Sequence, residues 1–348
     1  MNPYILATLL FSLGLGTTIT FASSHWLLAW MGLEINTLAI IPLMGQHHHP
    51  RAVEATTKYF LTQATAAAMI LFASTMNAWH TGQWDIQQMT DPIPATIVML
   101  ALALKVGLAP MHTWLPEVLQ GLSLTTGLIL STWQKLAPFA LILQVQNAPS
   151  TLLVGLGITS TLVGGWGGLN QTQLRKILAY SSVAHLGWMV LVLQFAPSLT
   201  LLALLTYLVM TTSTFLIFKY NEAANINALA TSWANNPALT ALAPLVLLSL
   251  GGLPPLTGFA PKWLILQELT KQGLGLTAAL AAITALLSLY FYLRLTYAMT
   301  LTMSPNTATG PIQWRLKAAR NTLPLAVATV SALMLLPATP AAVALLTH

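Results

Sequence analysis

Long apolar runs fill this chain, and only 20 of its 348 residues, 13 Lys or Arg and 7 Asp or Glu, carry a formal charge. A soluble domain gives about a quarter of its positions to charge. A 6% share cannot coat a water-facing globule of this size. The mean hydropathy of +0.72 points the same way. A soluble enzyme is excluded, and so is a disordered chain, which would be polar and highly charged. What remains is an integral membrane protein.

Apolar stretches of about 17 to 25 residues match the thickness of a bilayer when helical. They predict about eleven spans, near 3–21, 25–44, 57–79, 94–121, 124–145, 150–169, 174–195, 199–219, 238–271, 275–300 and 323–345. None shows the period-two alternation of a membrane β-barrel. Met1 to Leu10 has no basic n-region, so it reads as the start of a first span rather than a cleaved signal.

Counting sides from an inner N-terminus, Arg51, Lys58, Arg175, Lys176, Lys219, Arg315, Lys317 and Arg320 fall on inner loops or adjoining helix ends. Asp85, Asp91 and Lys271 fall outside. This is the positive-inside bias, and it puts the C-terminus outside. The net charge of +6 is scattered, without a basic stripe or interleaved aromatics, so no nucleic-acid partner is expected.

Two spans are interrupted. The fourth contains ALALKVGLAPMHTWLPE and the ninth LGGLPPLTGFAPKW. Pro110 and Pro116, like Pro254, Pro255 and Pro261, are expected to break their helices, because proline lacks the amide donor and clashes with the preceding turn. Broken helices survive in a membrane only inside protein or beside a wet cavity, so they mark a pathway. They are the fourth helix of the first five and the fourth of the next five, and an odd repeat length inverts the second unit. The expected fold is therefore all-α, with two inverted five-helix repeats (1–147 and 148–303) followed by a basic inner loop and C-terminal helix (304–348).

Four ionisable groups sit well inside spans: Glu34, Lys105, Lys135 and Lys262. Each costs about 3 kcal/mol to insert at a helix centre, and such groups are usually paired or wet. Burial disfavours the charged form, so a modest change in a neighbour can decide protonation. The row is a proton-relay candidate. Its structural alternative is a set of static pairs, but one central carboxylate cannot neutralise three lysines. His112, after the first break, and His185, central in the seventh span, can relay protons or merely hydrogen-bond across helices. Glu117 is expected near the membrane boundary at the far end of the fourth span, where a capping or pore-rim role stands level with a relay role.

Other motifs are given plainer readings. His47, His48 and His49 lack a carboxylate or thiol set beside them and read as a solvated loop rather than a metal tract. Gly14, Gly16 and the GGWGG segment from Gly164 to Gly168 read as small residues admitting close helices. No strand precedes them, so no dinucleotide fold is implied. With no cysteine, the chain has no thiolate for zinc or an iron–sulfur cluster and no disulfide.

Three segments, KVGLAPMHTWLPE, LRKILAYSSVAHLGW and LPPLTGFAPKW, in that order, resemble the antiporter-like, proton-pumping subunits of respiratory complex I. The resemblance covers nearly the whole chain. It implies that Glu34 and Lys105 are the acid and lysine pair of the first half-channel, Lys135 the connecting lysine, and Lys262 the lysine of the second broken helix. His112 and His185 would belong to a polar axis across the midplane. It further implies a mitochondrial inner-membrane location, with the N-terminus on the matrix side and the C-terminus on the intermembrane-space side. Partners would be other membrane-arm subunits, including other antiporter-like ones, and lipids. NADH, FMN, iron–sulfur clusters and ubiquinone would be bound by partner subunits, with no cofactor and no redox chemistry in this chain. The expected activity is proton translocation coupled to electron transfer elsewhere. The rivals are a free-standing cation/proton antiporter and a structural spacer with a vestigial polar axis.

Overall fold

A computed structural model of the chain describes residues 2–46, 49–145, 149–234, 237–301 and 322–347. Among them there is no strand, only the isolated bridges His25–Asp85 and Gln173–Asn225. The chain divides into two compact units, Met1–Gly157 and Ile158–His348.

The first unit contains α1 (Pro3–Ala22), α2 (Trp26–Met44), α3 (Pro50–Thr81), α4 (Pro92–Val106), α5 (Trp114–Gly121), α6 (Leu124–Ser131) and α7 (Trp133–Gln144), and α8 (Ser150–Gly168) begins in it. Pro3, Pro50 and Pro92 each open a helix, where the fixed φ suits the first turn and no amide donor is needed. Asn2, His49 and Ser123 cap α1, α3 and α6 through side chains that accept from Tyr4, Arg51 and Thr126 amides. The 32-residue α3 is the scaffold of the unit and packs against α2, α4 and α5. The α1–α2 crossing is very close. A Cβ added to Gly16 would lie 2.8 Å from the Gly32 carbonyl, and one on Gly32 would lie 2.8 Å from the Gly16 carbonyl.

The second unit holds α9 (Leu174–Val192), α10 (Pro197–Tyr220), α11 (Ile226–Ala230), α12 (Pro237–Gly251), α13 (Phe259–Lys271), α14 (Gly275–Thr300), α15 (Leu323–Met334) and α16 (Thr339–Thr347). Its centre is α10, which touches α9, α12, α13, α15 and α16. Ser249 Oγ donates to the Ala332 carbonyl at 2.8 Å and ties α12 to α15. Gly164 lets the end of α8 approach α9, since a Cβ there would come within 2.5 Å of the Ala184 amide. Most other serine and threonine hydroxyls donate to the carbonyl three or four residues back in their own helix, as Thr8, Thr75, Thr212 and Thr277 do.

Both expected breaks are present, but different residues make them. Helix α4 ends at Gly107 with φ of +89°, and α12 at Gly252 with φ of +81°. This left-handed backbone is one that glycine adopts freely. In each case the next amide reaches back five residues, Leu108 to the Ala103 carbonyl at 2.9 Å and Leu253 to Leu248 at 3.3 Å. The Ala109–Pro110 and Pro254–Pro255 peptides are cis. Pro116 and Pro261 break nothing: each is the third residue of the following helix, α5 or α13, where an amide has no intrahelical acceptor to lose.

Three further boundaries differ from expectation. Helix α3 starts at Pro50, a full turn and more before 57, because the Pro50 start and His49 cap extend it beyond the apolar run. The fifth span is jointed at Thr132, with φ −112° and ψ −71°. The last is bent by 65° at the 3₁₀ turn Leu336–Ala338. Among the described residues, seven helical spans, with the jointed α6–α7 counted as one, are long and apolar enough to cross a membrane, or eight if the bent pair α15–α16 is also one span. His47, His48, Arg315, Lys317 and Arg320 lie outside the described residues.

Candidate functional site

In the first unit the buried polar groups converge on one cavity. Asn36 and Thr37 come from α2, Tyr59 and Gln63 from α3, Lys105 from α4, Trp114 from α5, and Gln134 and Lys135 from α7. Two lysines thus line the same enclosure, with Lys105 only 6% and Lys135 only 2% exposed. The enclosure has about 20 Å³ of room for water, enough for about one molecule.

The break places Lys105. Ending α4 at Val106 leaves its last carbonyls without intrahelical donors. Trp114 Nε1 donates to the Leu104 carbonyl at 3.0 Å and Gln63 Nε2 to the Lys105 carbonyl at 3.4 Å, so fixed neutral donors close the helix end. Lys105 Nζ meets no protein acceptor, and neither amide atom of Asn36 has a partner. The expected Glu34–Lys105 pair is not in contact. Glu34 is half-buried and accepts from Thr37 Oγ1 at 3.1 Å, and its charge reaches Lys105 only through space. His112 lies in the break itself and hydrogen-bonds the Pro110 carbonyl.

Lys135 stands in the first turn of α7, directly after the joint at Thr132. Gln134 beside it donates to the Asn36 carbonyl at 3.3 Å, linking the joint to α2. Glu117 takes no part in the cavity. It is exposed and bonded to Lys58 at 2.8 Å, and Lys58 also pairs with Glu54 at 2.8 Å.

In the second unit Lys262 is in the first turn of α13, and its Nζ donates to the Gly251 carbonyl at 2.7 Å. A lysine therefore does here what Trp114 and Gln63 do at the first break, and its charge suits the negative end of α12. The Lys262 side chain lies over Gly252, where an added Cβ would be 2.8 Å from its Cδ. His185 on α9 is tilted against Tyr207 of α10 with rings 5.6 Å apart.

Several residues escape a search based on charge. Asn36, Gln63 and Gln134 are neutral, and in a single sequence they look like ordinary helix-contact polar groups. Their signal is positional: Asn36 and Thr37 lie within three residues of Glu34, and Gln134 is adjacent to Lys135. Among the described residues no group of three or more His, Cys, Asp or Glu is placed to hold a metal ion.

Comparison with known proteins accounts for the whole chain. Residues 23–288 match the family described as NADH:quinone oxidoreductase/Mrp antiporter, TM, and residues 289–343 that described as NADH dehydrogenase subunit 2 C-terminus. The NADH-ubiquinone oxidoreductase chain 2 of Tetraodon nigroviridis is 73% identical over 340 residues, 98% of each chain. That of Salmo salar is 73% identical over 348 residues, 100% of each. A chain in the solved structure of respiratory complex I from Thermus thermophilus is 30% identical, with a TM-score of 0.78 over 94% of this chain and 78% of that one. With a family match across residues 23–288 and relatives this similar along their full length, the chain belongs to the NADH-ubiquinone oxidoreductase chain 2 family.

Proposed function

We propose that this chain is a membrane-arm subunit of respiratory complex I that carries protons across the mitochondrial inner membrane, driven by electron transfer from NADH to ubiquinone in partner subunits. The observation that carries this reading is the shared cavity, in which Lys105 and Lys135 are buried together and Lys105 Nζ has no protein acceptor. Permanent charge pairs would give each ammonium its own carboxylate. Here a charge on one lysine raises the energy of a charge on the other, so a proton is passed on rather than stored twice. Asn36 offers both a donor and an acceptor beside Lys105 and can orient a water in either direction.

In this reading the chain crosses the membrane about eleven times, with inverted repeats at 1–147 and 148–303 and a final segment at 304–348. Its N-terminus is on the matrix side and its C-terminus on the intermembrane-space side. The matched glycine caps at Gly107 and Gly252 support the repeat. Glu34, Lys105 and Lys135 carry the first half of the route, and Lys262 the second, with His112 and His185 supporting it. Other antiporter-like subunits and lipids surround the chain, and NADH, FMN, iron–sulfur clusters and ubiquinone are held by partners.

The test is proton pumping by the intact complex in sealed vesicles, comparing Lys135→Met with wild type at equal NADH oxidation. Fewer protons per electron pair is the expected result. Full stoichiometry in a normally assembled variant would overturn the relay. Sodium movement by the isolated chain, with no change in complex I pumping, would favour the free-standing antiporter.

A further inference from the structure

The last span is bent by 65° at 336–338, and part of the cause lies in the second break. Leu335 is the residue whose amide would close the final rung of α15 on the Ser331 carbonyl, four residues back. That amide donates instead to Thr257 Oγ1 at 3.2 Å, and the same hydroxyl donates to the Ser331 carbonyl at 3.5 Å. Thr257 thus stands inside the rung, one hydroxyl serving both of its ends. A side chain inserted into the ladder kinks a helix, and Pro337, which has no amide to offer the Leu333 carbonyl, keeps the next turn from repairing it. Thr257 belongs to the connection between α12 and α13 and is fully buried.

The neighbouring carbonyl is served from the other side of the break. Ala332 accepts from Ser249 Oγ of α12 at 2.8 Å, and Ser249 Oγ in turn accepts from the Gly258 amide at 3.4 Å, just where α13 begins. A helix end leaves its last carbonyls without partners, and here hydroxyls from both halves of the broken span supply them. Room at this junction is minimal, since a Cβ on Gly258 would overlap the Ser249 carbonyl. The start of α13 is therefore pinned to α15 by Thr257 and to α12 by Gly258. Lys262, in its first turn, adds the tie to the Gly251 carbonyl. Of these three ties, only that of Lys262 is one a proton relay must break.

We infer that Thr257 is a positioning residue for Lys262: by occupying the last rung of α15 it holds the start of α13 in place while the Lys262 ammonium leaves and regains the Gly251 carbonyl; this rests on the proton-relay reading of the chain. Thr257 hands on no proton, and its part is geometric. Without its hydroxyl the first turn of α13 keeps only the Gly258 amide whenever Lys262 lets go, and the ammonium returns to an acceptor at a variable distance. A misplacement of about 1 Å can slow a reacting group by about 10²-fold.

The experiment compares Thr257→Val, Thr257→Ser, Lys262→Met and the Thr257→Val/Lys262→Met double variant in the intact complex, reading the amount assembled, the rate of NADH-driven pumping and protons per electron pair. Valine has the shape of threonine without the hydroxyl, and it strands nothing, because the Leu335 amide and the Ser331 carbonyl are each other's partners in a regular helix. Thr257→Val is expected to assemble in normal amount and pump about tenfold more slowly. Thr257→Ser, which returns the hydroxyl, should pump at the wild-type rate, and the double variant no more slowly than Lys262→Met. A merely structural role would lower the amount of complex and add to the loss caused by Lys262→Met. With Lys262→Met impaired, wild-type pumping by Thr257→Val, an equal loss in Thr257→Ser, or a further loss in the double variant would each overturn this inference and leave the wider reading standing. Wild-type pumping by Lys262→Met would remove the wider reading too. Should Thr257→Val assemble poorly, Leu335→Pro decides the matter, since it removes the amide that Thr257 accepts from, at a φ of −74° that proline adopts: slowed pumping supports the inference, and a wild-type rate overturns it.

Discussion

Lys262 Nζ donates to the Gly251 carbonyl at 2.7 Å, so the lysine on the second half of a broken helix closes the end of the first half. The same ammonium is proposed to lose a proton, and the two roles compete. At the first break Lys105 has no such duty, because Trp114 and Gln63 cap α4 with donors that never titrate.

Substitution at Lys262 separates these roles. Lys262→Arg keeps a cationic donor for Gly251 but cannot deprotonate, so the complex should assemble with near wild-type thermal stability and pump poorly. Lys262→Met should lose pumping and also about 1–3 kcal/mol of local stability, because the Gly251 carbonyl is left unpaired. Thermal unfolding of the purified complex alongside a vesicle pumping assay checks both.

Asn36→Leu should act on proton transfer with little harm to the fold. The side chain is 2% exposed and both its amide atoms lack partners, so removing them costs no hydrogen bond. An apolar group there shrinks and dries the cavity beside Lys105. Pumping should fall while the amount of assembled complex on a native gel stays unchanged.

Gly32→Val should do the reverse. Its Cβ would stand 2.6 Å from Thr20 Cγ2 and 2.8 Å from the Gly16 carbonyl, contacts that only separation of α1 and α2 can relieve. The overpacking costs about 2 kcal/mol or more. Reduced assembly, measured as complex abundance, is expected, with the residual complex still pumping.

Glu117→Gln should leave pumping and assembly unchanged. Glu117 is exposed, its bridge to Lys58 is a surface pair, and Lys58 keeps Glu54. A large loss of pumping in this variant would place the proton route at the α3–α5 surface rather than in the cavity.

The seven or eight long apolar spans were legible because a bilayer demands a length and an apolar composition that few other folds share, and α14 follows its expected 275–300 run residue for residue. Lys105, Lys135 and Lys262 were legible for a related reason, as rare charges inside those runs. The role of each proline was not. Pro110 and Pro116 have the same composition signal, yet one lies in a break and the other in a first turn, and the difference is set by Gly107 and by where α5 begins. Nor was the spacing of Glu34 from Lys105 legible, since a shared depth in the membrane fixes height and not lateral distance.

Hydroxyls that bond back to their own helix have an evolutionary consequence. At positions such as Thr75 or Thr212 the polar proton is consumed within one turn, so exchange with valine or alanine strands no neighbour, and such sites are free to drift between relatives. Ser249 is different in kind, because the carbonyl it serves belongs to Ala332 on another helix. A change at Ser249 is felt by α15, and the two classes of hydroxyl should therefore accumulate substitutions at different rates although composition alone treats them alike.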